Sequence, residues 1–310
     1  MLIGNAVILA AVALRRSLRR RKELLVLLLV PVADALWGAC TVANHSIVIV
    51  RVALLHTSIA PTFASSRIGC LATEPFVIGY SLAKQLIGIA LTLVSLDRFW
   101  AVAYSHYYAQ MTAAYPKRIA ACLCGYSVAQ ICFMLYLSWQ YGLPPGVTSI
   151  RCQTNTALPK WYWGYLNSAF GAIGGVASVL IYFMMLVAFR NRLRGAASQA
   201  LSKAERSVTT TVGVLVLFTL LFHVLPFCVV AYVSVGGVEP RLASVANSYA
   251  WPIIKINSLT NIVVFTWKMK EVRDAIVAVF TNKLGRETTT KPLGGAKDAE
   301  RQPEPKVAWT

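Results

Sequence analysis

The chain has 310 residues, of which 57% are hydrophobic and 14% charged, with a mean hydropathy of +0.59. That is far more apolar than a water-soluble domain, and it points to an integral membrane protein. The net charge of +18 does not require a nucleic-acid partner, because the basic residues lie between apolar runs, where anionic inner-leaflet lipid attracts them.

The first run, MLIGNAVILAAVAL (residues 1–14), covers only about 21 Å of a roughly 30 Å hydrocarbon core. Its basic cluster RRSLRRRK follows the apolar part instead of preceding it, which argues against a signal peptide and for the lower half of a truncated first helix. Six longer runs follow: 24 to about 50, 68 to about 102, 118 to about 139, 161–189, 208–235 and 242–267. WKMKEVRDAI, after the last run, has the pattern of a short amphipathic helix on a membrane surface. The expected fold is an all-α bundle of seven membrane helices, the first truncated, with this short cytoplasmic helix. Residues 1–281 would form one membrane domain and 282–310 a disordered tail, rich in Pro, Gly and charge from Lys291 onward.

Most of the 30 Lys and Arg fall in odd-numbered loops and the tail, among them Arg15, Arg16, Arg19, Arg20, Arg21, Lys22, Arg190, Arg192, Lys268 and Lys270. Even-numbered loops hold only Arg51, Arg67, Arg151, Lys160 and Arg241. Basic loops stay cytoplasmic, so the N-terminus is predicted outside and the C-terminus inside a multi-pass plasma-membrane protein. Cys40, Cys122, Cys124, Cys132 and Cys228 fall within helices, whereas Cys70 and Cys152 lie where an oxidising exterior permits a bridge, and these two are predicted to pair.

Charge inside a membrane costs about 2.5 to 3.5 kcal/mol even on insertion scales, so such residues are paired or functional. SLDRFWAVAYSHYYAQM (95–111) places Asp97 and Arg98 at the cytoplasmic end of the third apolar run. Taken alone, Arg98 could simply snorkel as a topology anchor. Asp34 lies mid-membrane in VADALWG, Gly4-Asn5 in the first run, and NSLTNIVVF (257–265) in the last.

With these residues together, the chain resembles the rhodopsin-like G-protein-coupled receptors along its length. Asp97, Arg98, Phe99, Ala101, Val102 and Tyr108 match the family's DRY region. Asp34, Asn5, Pro226 and Tyr182 match its helix-two aspartate, helix-one asparagine, helix-six proline and helix-five tyrosine, and Cys70 and Cys152 occupy its disulfide positions. Ser105 replaces the loop proline, Ile262 and Phe265 replace the proline and tyrosine of NPxxY, and Val224 stands where a tryptophan switch is usual. The pattern after Asn261 is similar to the nematode serpentine chemoreceptors of the srsx type.

The resemblance implies an extracellular small-molecule or peptide ligand outside and a heterotrimeric G protein inside. Asp97, Arg98, Phe99, Tyr182, Asn261 and Phe265 would form the activation switch, in which Asp97 holds Arg98 at rest and Arg98 later turns toward Tyr182. Asp34, Asn257, Ser258 and Asn261 would form a polar core. It could hold sodium, but Ile87 faces the usual place of a further hydroxyl ligand, and a hydrated network is the preferred reading. Tyr80, Lys84, Phe227, Trp251 and Lys255 would line the ligand pocket. Tyr80 stands where aminergic receptors carry an aspartate, so two buried ammoniums point to an anionic ligand. Lys255 falls where opsins carry their retinal-binding lysine; the only nearby counter-ion is Glu74, so an ordinary pocket or structural lysine is preferred and retinal is the alternative. From another class, a transporter or channel could use Asp34, Lys84 and Lys255 as a path, but no internal repeat supports it. An enzyme is least expected, since His45, His56, His106 and His223 are scattered and no metal-ligand cluster stands out.

Overall fold

A computed structural model of the chain describes residues 1–56, 66–112, 114–141, 157–159, 161–194, 210, 213, 214, 216–235 and 239–281. All regular elements among them are helical. The first apolar run forms α1 (Leu2–Leu14), and the arginine cluster turns the chain through α2 (Arg16–Arg19) and α3 (Lys22–Leu27) into α4 (Leu29–His56). That last helix runs about two turns beyond its expected end at 50.

The third apolar run departs more from expectation. Instead of one helix from 68, a short α5 (Arg67–Thr73) is capped by Ser66, whose hydroxyl accepts from the Gly69 N–H at 3.0 Å. The chain then breaks at Glu74-Pro75 before α6 (Phe76–Ala103). Proline cannot continue a helix that would need its N–H, but its fixed φ of −64° suits the start of a new one. Cys70 therefore sits on a separate small helix and not on the head of α6.

Next come α7 (Ser105–Gln110) and α8 (Ala114–Gln140). A π-helical turn at Tyr162–Asn167 leads into α9 (Ser168–Arg194), and a second at Leu220–Val224 leads into α10 (Leu225–Val235). The chain continues in α11 (Pro240–Lys268) and α12 (Lys270–Phe280). Among the described residues, five segments are long and apolar enough to cross a membrane: Lys22–Ile47, Phe76–Ala103, Ala114–Gln140, Ala169–Phe189 and Val216–Val233. Of the rest, α1 is apolar but short, and α11 is long but interrupted by Arg241, Asn257 and Asn261. The molecule is thus an all-α, multi-span bundle.

Its centre is α6, which packs along α9 on one side and α4 on another. The closest approach is at Gly88 and Gly174, where a Cβ on Gly174 would lie 2.7 Å from the Gly88 backbone. Thr92 pins this crossing by donating to the carbonyls of Gly88 and Gly174 at 2.9 and 3.0 Å. The GxxxG pair of α9, Gly171 and Gly175, faces Phe227 and Val224. These small residues thus serve packing within the chain. By contrast α8 buries only Pro116, Met134, Leu137 and Ser138 and turns most of its surface outward. The amphipathic α12 buries Val272 and Ala275 and packs against α1.

Candidate functional site

Three groups of buried polar residues line the bundle, each with residues of α6 or α11 and completed by side chains from neighbouring helices. The first lies at the end of α6 that meets α7. Arg98 and Asp97 are 4% and 1% exposed, and the Arg98 guanidinium donates to Asp97 Oδ2 through Nε at 2.9 Å and also through Nη2. Adjacent helical residues do not face each other. Tyr108 on α7 braces the direct pair: its hydroxyl donates to Asp97 Oδ1 at 3.1 Å and accepts from Arg98 Nη2 at 3.0 Å. Burial pushes the Tyr108 phenol above its ordinary pKa, so it keeps the proton that it donates. Sequence reading named Tyr108 only as a pattern match; its place in this triad comes from the turn at Tyr104, which starts α7 without a loop proline.

Phe99 lies beside the triad and packs edge-on to Tyr104 at 6.3 Å. Tyr182 of α9 is apart from Arg98, and its hydroxyl fills the space that a side chain on Gly213 would need. Between triad and middle lies a cavity of about 20 Å³ bordered by Ser95, Ser178, Asn261 and Phe265. It has room for about one water.

The second group is mid-bundle. Asn261 Nδ2 donates to Asp34 Oδ2 at 3.1 Å, and Asn5 Nδ2 donates to Ser258 Oγ at 3.3 Å. All four residues, and Asn257, are buried. Gly4 admits this contact by leaving room for Ile262, which would lie 2.6 Å from a Cβ there. The Oδ1 atoms of Asn5, Asn257 and Asn261 have no hydrogen-bond partner among the described residues, so the group that contains Asp34 holds surplus acceptors. Such a set is completed by a donor such as water or by a small cation. Ile87, which offers no hydroxyl, is buried at 2% exposure.

The third group surrounds Lys84. Its ammonium lies 4.0 Å from the ring centre of Trp251, 5.6 Å from Phe227 and 5.8 Å from Tyr80, and the residue is 1% exposed. Trp37 of α4 extends the aromatic wall to Tyr80. His223 was read from sequence as one of four scattered histidines. The π-helical turn rotates it inward, fully buried, with its ring 4.6 Å from that of Phe227 and its Nε2 unpartnered. Lys255 corrects the expectation of two buried ammoniums: it is only half-buried, and it makes no ion pair with a described residue. A retinal Schiff base needs burial and a carboxylate partner, so Lys255 does not fit that group.

Sequence reading also missed a network behind Lys84. Gln85 donates to the Tyr162 hydroxyl at 3.0 Å and to Asn167 Oδ1 at 3.2 Å, and accepts from Tyr126 at 2.6 Å. The first π-helical turn turns Tyr162 and Asn167 inward together. Cys70 is buried, whereas Cys152 lies outside the described residues, as does the tail from 282.

No curated protein matches the chain. The family model for the 7 transmembrane receptor (rhodopsin family) matches residues 4–271, from the Gly4-Asn5 pair to Glu271 at the start of α12. That span contains all three buried groups and assigns a receptor's signalling role in a membrane, not an enzyme's. The chain belongs to the rhodopsin family of 7 transmembrane receptors.

Proposed function

We propose that residues 1–281 form a seven-span receptor with its N-terminus outside, which binds an extracellular small molecule and activates a heterotrimeric G protein. The observation that carries this reading is the closed Asp97–Arg98–Tyr108 triad, a buried charge pair at the cluster-rich basic end of the bundle. It holds the resting state. Activation frees Arg98 to reach toward Tyr182, which leaves its seat against Gly213 as the segment that leads into α10 swings out. Phe265 contributes packing to that movement, and Asp34 with Asn257, Ser258 and Asn261 couples α4 to α11 as a hydrated network. The Cys70–Cys152 pairing belongs to the same reading, supported by the five other cysteines being free. The nematode chemoreceptor subtype rests on the residues after Asn261 alone.

The test is a pooled ligand screen with a nucleotide-exchange readout. Arg98→Ala is expected to reach the membrane and bind agonist but to lose agonist-driven exchange; full activation by this variant would falsify the mechanism.

The ligand class follows from Lys84. An ammonium closed in by Trp251, Phe227 and Tyr80, with His223 behind Phe227, suits a small organic anion with an apolar or aromatic body. A charge-assisted hydrogen bond is worth about 1.5–3 kcal/mol. Lys84→Gln is therefore expected to weaken an anionic agonist roughly 10- to 100-fold, with a neutral ester analogue indifferent to the change. Equal losses for acid and ester would remove Lys84 from recognition.

A further inference from the structure

The basic first loop does more than mark topology. Arg21 and Lys22 are adjacent, yet they reach different elements. Arg21 pairs with Glu271 of α12 at 2.7 Å, half-exposed on both sides. Lys22 turns the other way: its ammonium donates to the Tyr108 carbonyl and, at 3.0 Å, to that of Met111, and lies 4.4 Å from the Tyr108 ring centre.

Tyr108 and Met111 form the C-terminal end of α7, where unsatisfied carbonyls and partial negative charge collect. A lysine ammonium with three donors is a fitting cap. It also grips Tyr108 from both sides, by carbonyl and by ring, while the hydroxyl of that residue reaches Asp97 and Arg98. A six-residue helix has little stability of its own.

We infer that Lys22 is a positioning residue that holds α7 in place and, through Tyr108, keeps the Asp97–Arg98 pair closed in the absence of ligand. This rests on the resting-state reading of that pair. Losing Lys22 frees α7 to fray, withdraws the Tyr108 hydroxyl, and shifts the bundle toward its active arrangement.

The full chain is reconstituted in lipid nanodiscs and compared with Lys22→Gln, Tyr108→Phe, the double variant, Lys22→Arg, Arg21→Gln and Asp97→Asn. Two readouts are taken: amide hydrogen exchange over 105–111, and agonist-free nucleotide exchange on a panel of heterotrimers from the four Gα classes. Lys22→Gln is expected to raise both at least about fivefold, the low end of usual coupling between sites. Lys22→Arg should restore both, and Arg21→Gln should match wild type, since its exposed pair is worth little. The double variant should not exceed the larger single change, because Lys22 acts through Tyr108. Unchanged readouts in Lys22→Gln, or multiplying effects in the double variant, would overturn the inference. If Asp97→Asn raises basal exchange while Lys22→Gln does not, the strap alone fails; if Asp97→Asn is also silent, the resting-pair reading fails and takes the strap with it.

Discussion

Asp97→Asn is expected to make the receptor both less stable and more active without ligand. The carboxylate is the charge that compensates a guanidinium only 4% exposed. Removing one partner of a buried pair costs about 3–5 kcal/mol, most of it the penalty on the charge left behind. The neutral amide retains some hydrogen bonding to Arg98 and Tyr108, so a loss near the low end, about 3 kcal/mol, is expected. Part of the population escapes the penalty by letting Arg98 move to water, which is the opened state. Thermal unfolding in detergent should show the lower midpoint, and agonist-free nucleotide exchange the higher activity. The decisive comparison is Asp97→Asn combined with Arg98→Ala. With no buried charge left, the double variant should regain stability yet signal nothing. A double variant as unstable as the single would mean that the carboxylate acts by packing alone.

Gly174→Val is expected to be as damaging, by a different physical route. A Cβ on Gly174 would stand 2.7 Å from backbone atoms of Gly88, and backbone cannot rotate aside as a side chain can. Helices α6 and α9 would have to separate along the contact that centres the bundle, breaking the Thr92 hydroxyl bond to Gly174. Overpacking typically costs about 1–3 kcal/mol, and occasionally more. Loss of folded receptor at the membrane, measured by ligand-independent surface labelling, is the expected outcome. Gly125 on α8, with nothing within 4 Å of a built Cβ, provides the control. Gly125→Val should express as wild type. Equal damage at both positions would mean that glycine content, and not the crossing, matters.

Long-range features of the fold were legible in the apolar periodicity and in single polar residues that hydrocarbon makes expensive. Asp34 and Asn261 are an example: each stands out against apolar neighbours, and they meet across 227 positions of sequence. The features not legible depend on local backbone geometry. Glu74-Pro75 was the available signal for the break between α5 and α6, but the apolar residues on both sides outweighed it. The inward turn of His223, Tyr162 and Asn167 depends on π-helical turns, which insert a residue and shift the facing side with no compositional sign. Lys255 shared a helical face with Trp251 as expected, yet that face is only partly covered, because burial depends on how closely neighbouring helices approach. Lys22 was indistinguishable from the arginines beside it, since a basic cluster announces the membrane side and not which carbonyls its members will find.

The break at Glu74-Pro75 decides where the central helix begins. Cys70 lies on α5, a two-turn helix separated from α6 by two non-helical residues. Backbone hydrogen bonds from Val77 to Glu74 and from Ile78 to Pro75 span that break, and Cys70 and Leu71 pack with Val77 in one buried cluster. Whatever is attached at Cys70 thus meets the helix that carries Lys84 and Arg98 across a short seam of packing and turn hydrogen bonds, and not along a continuous helix.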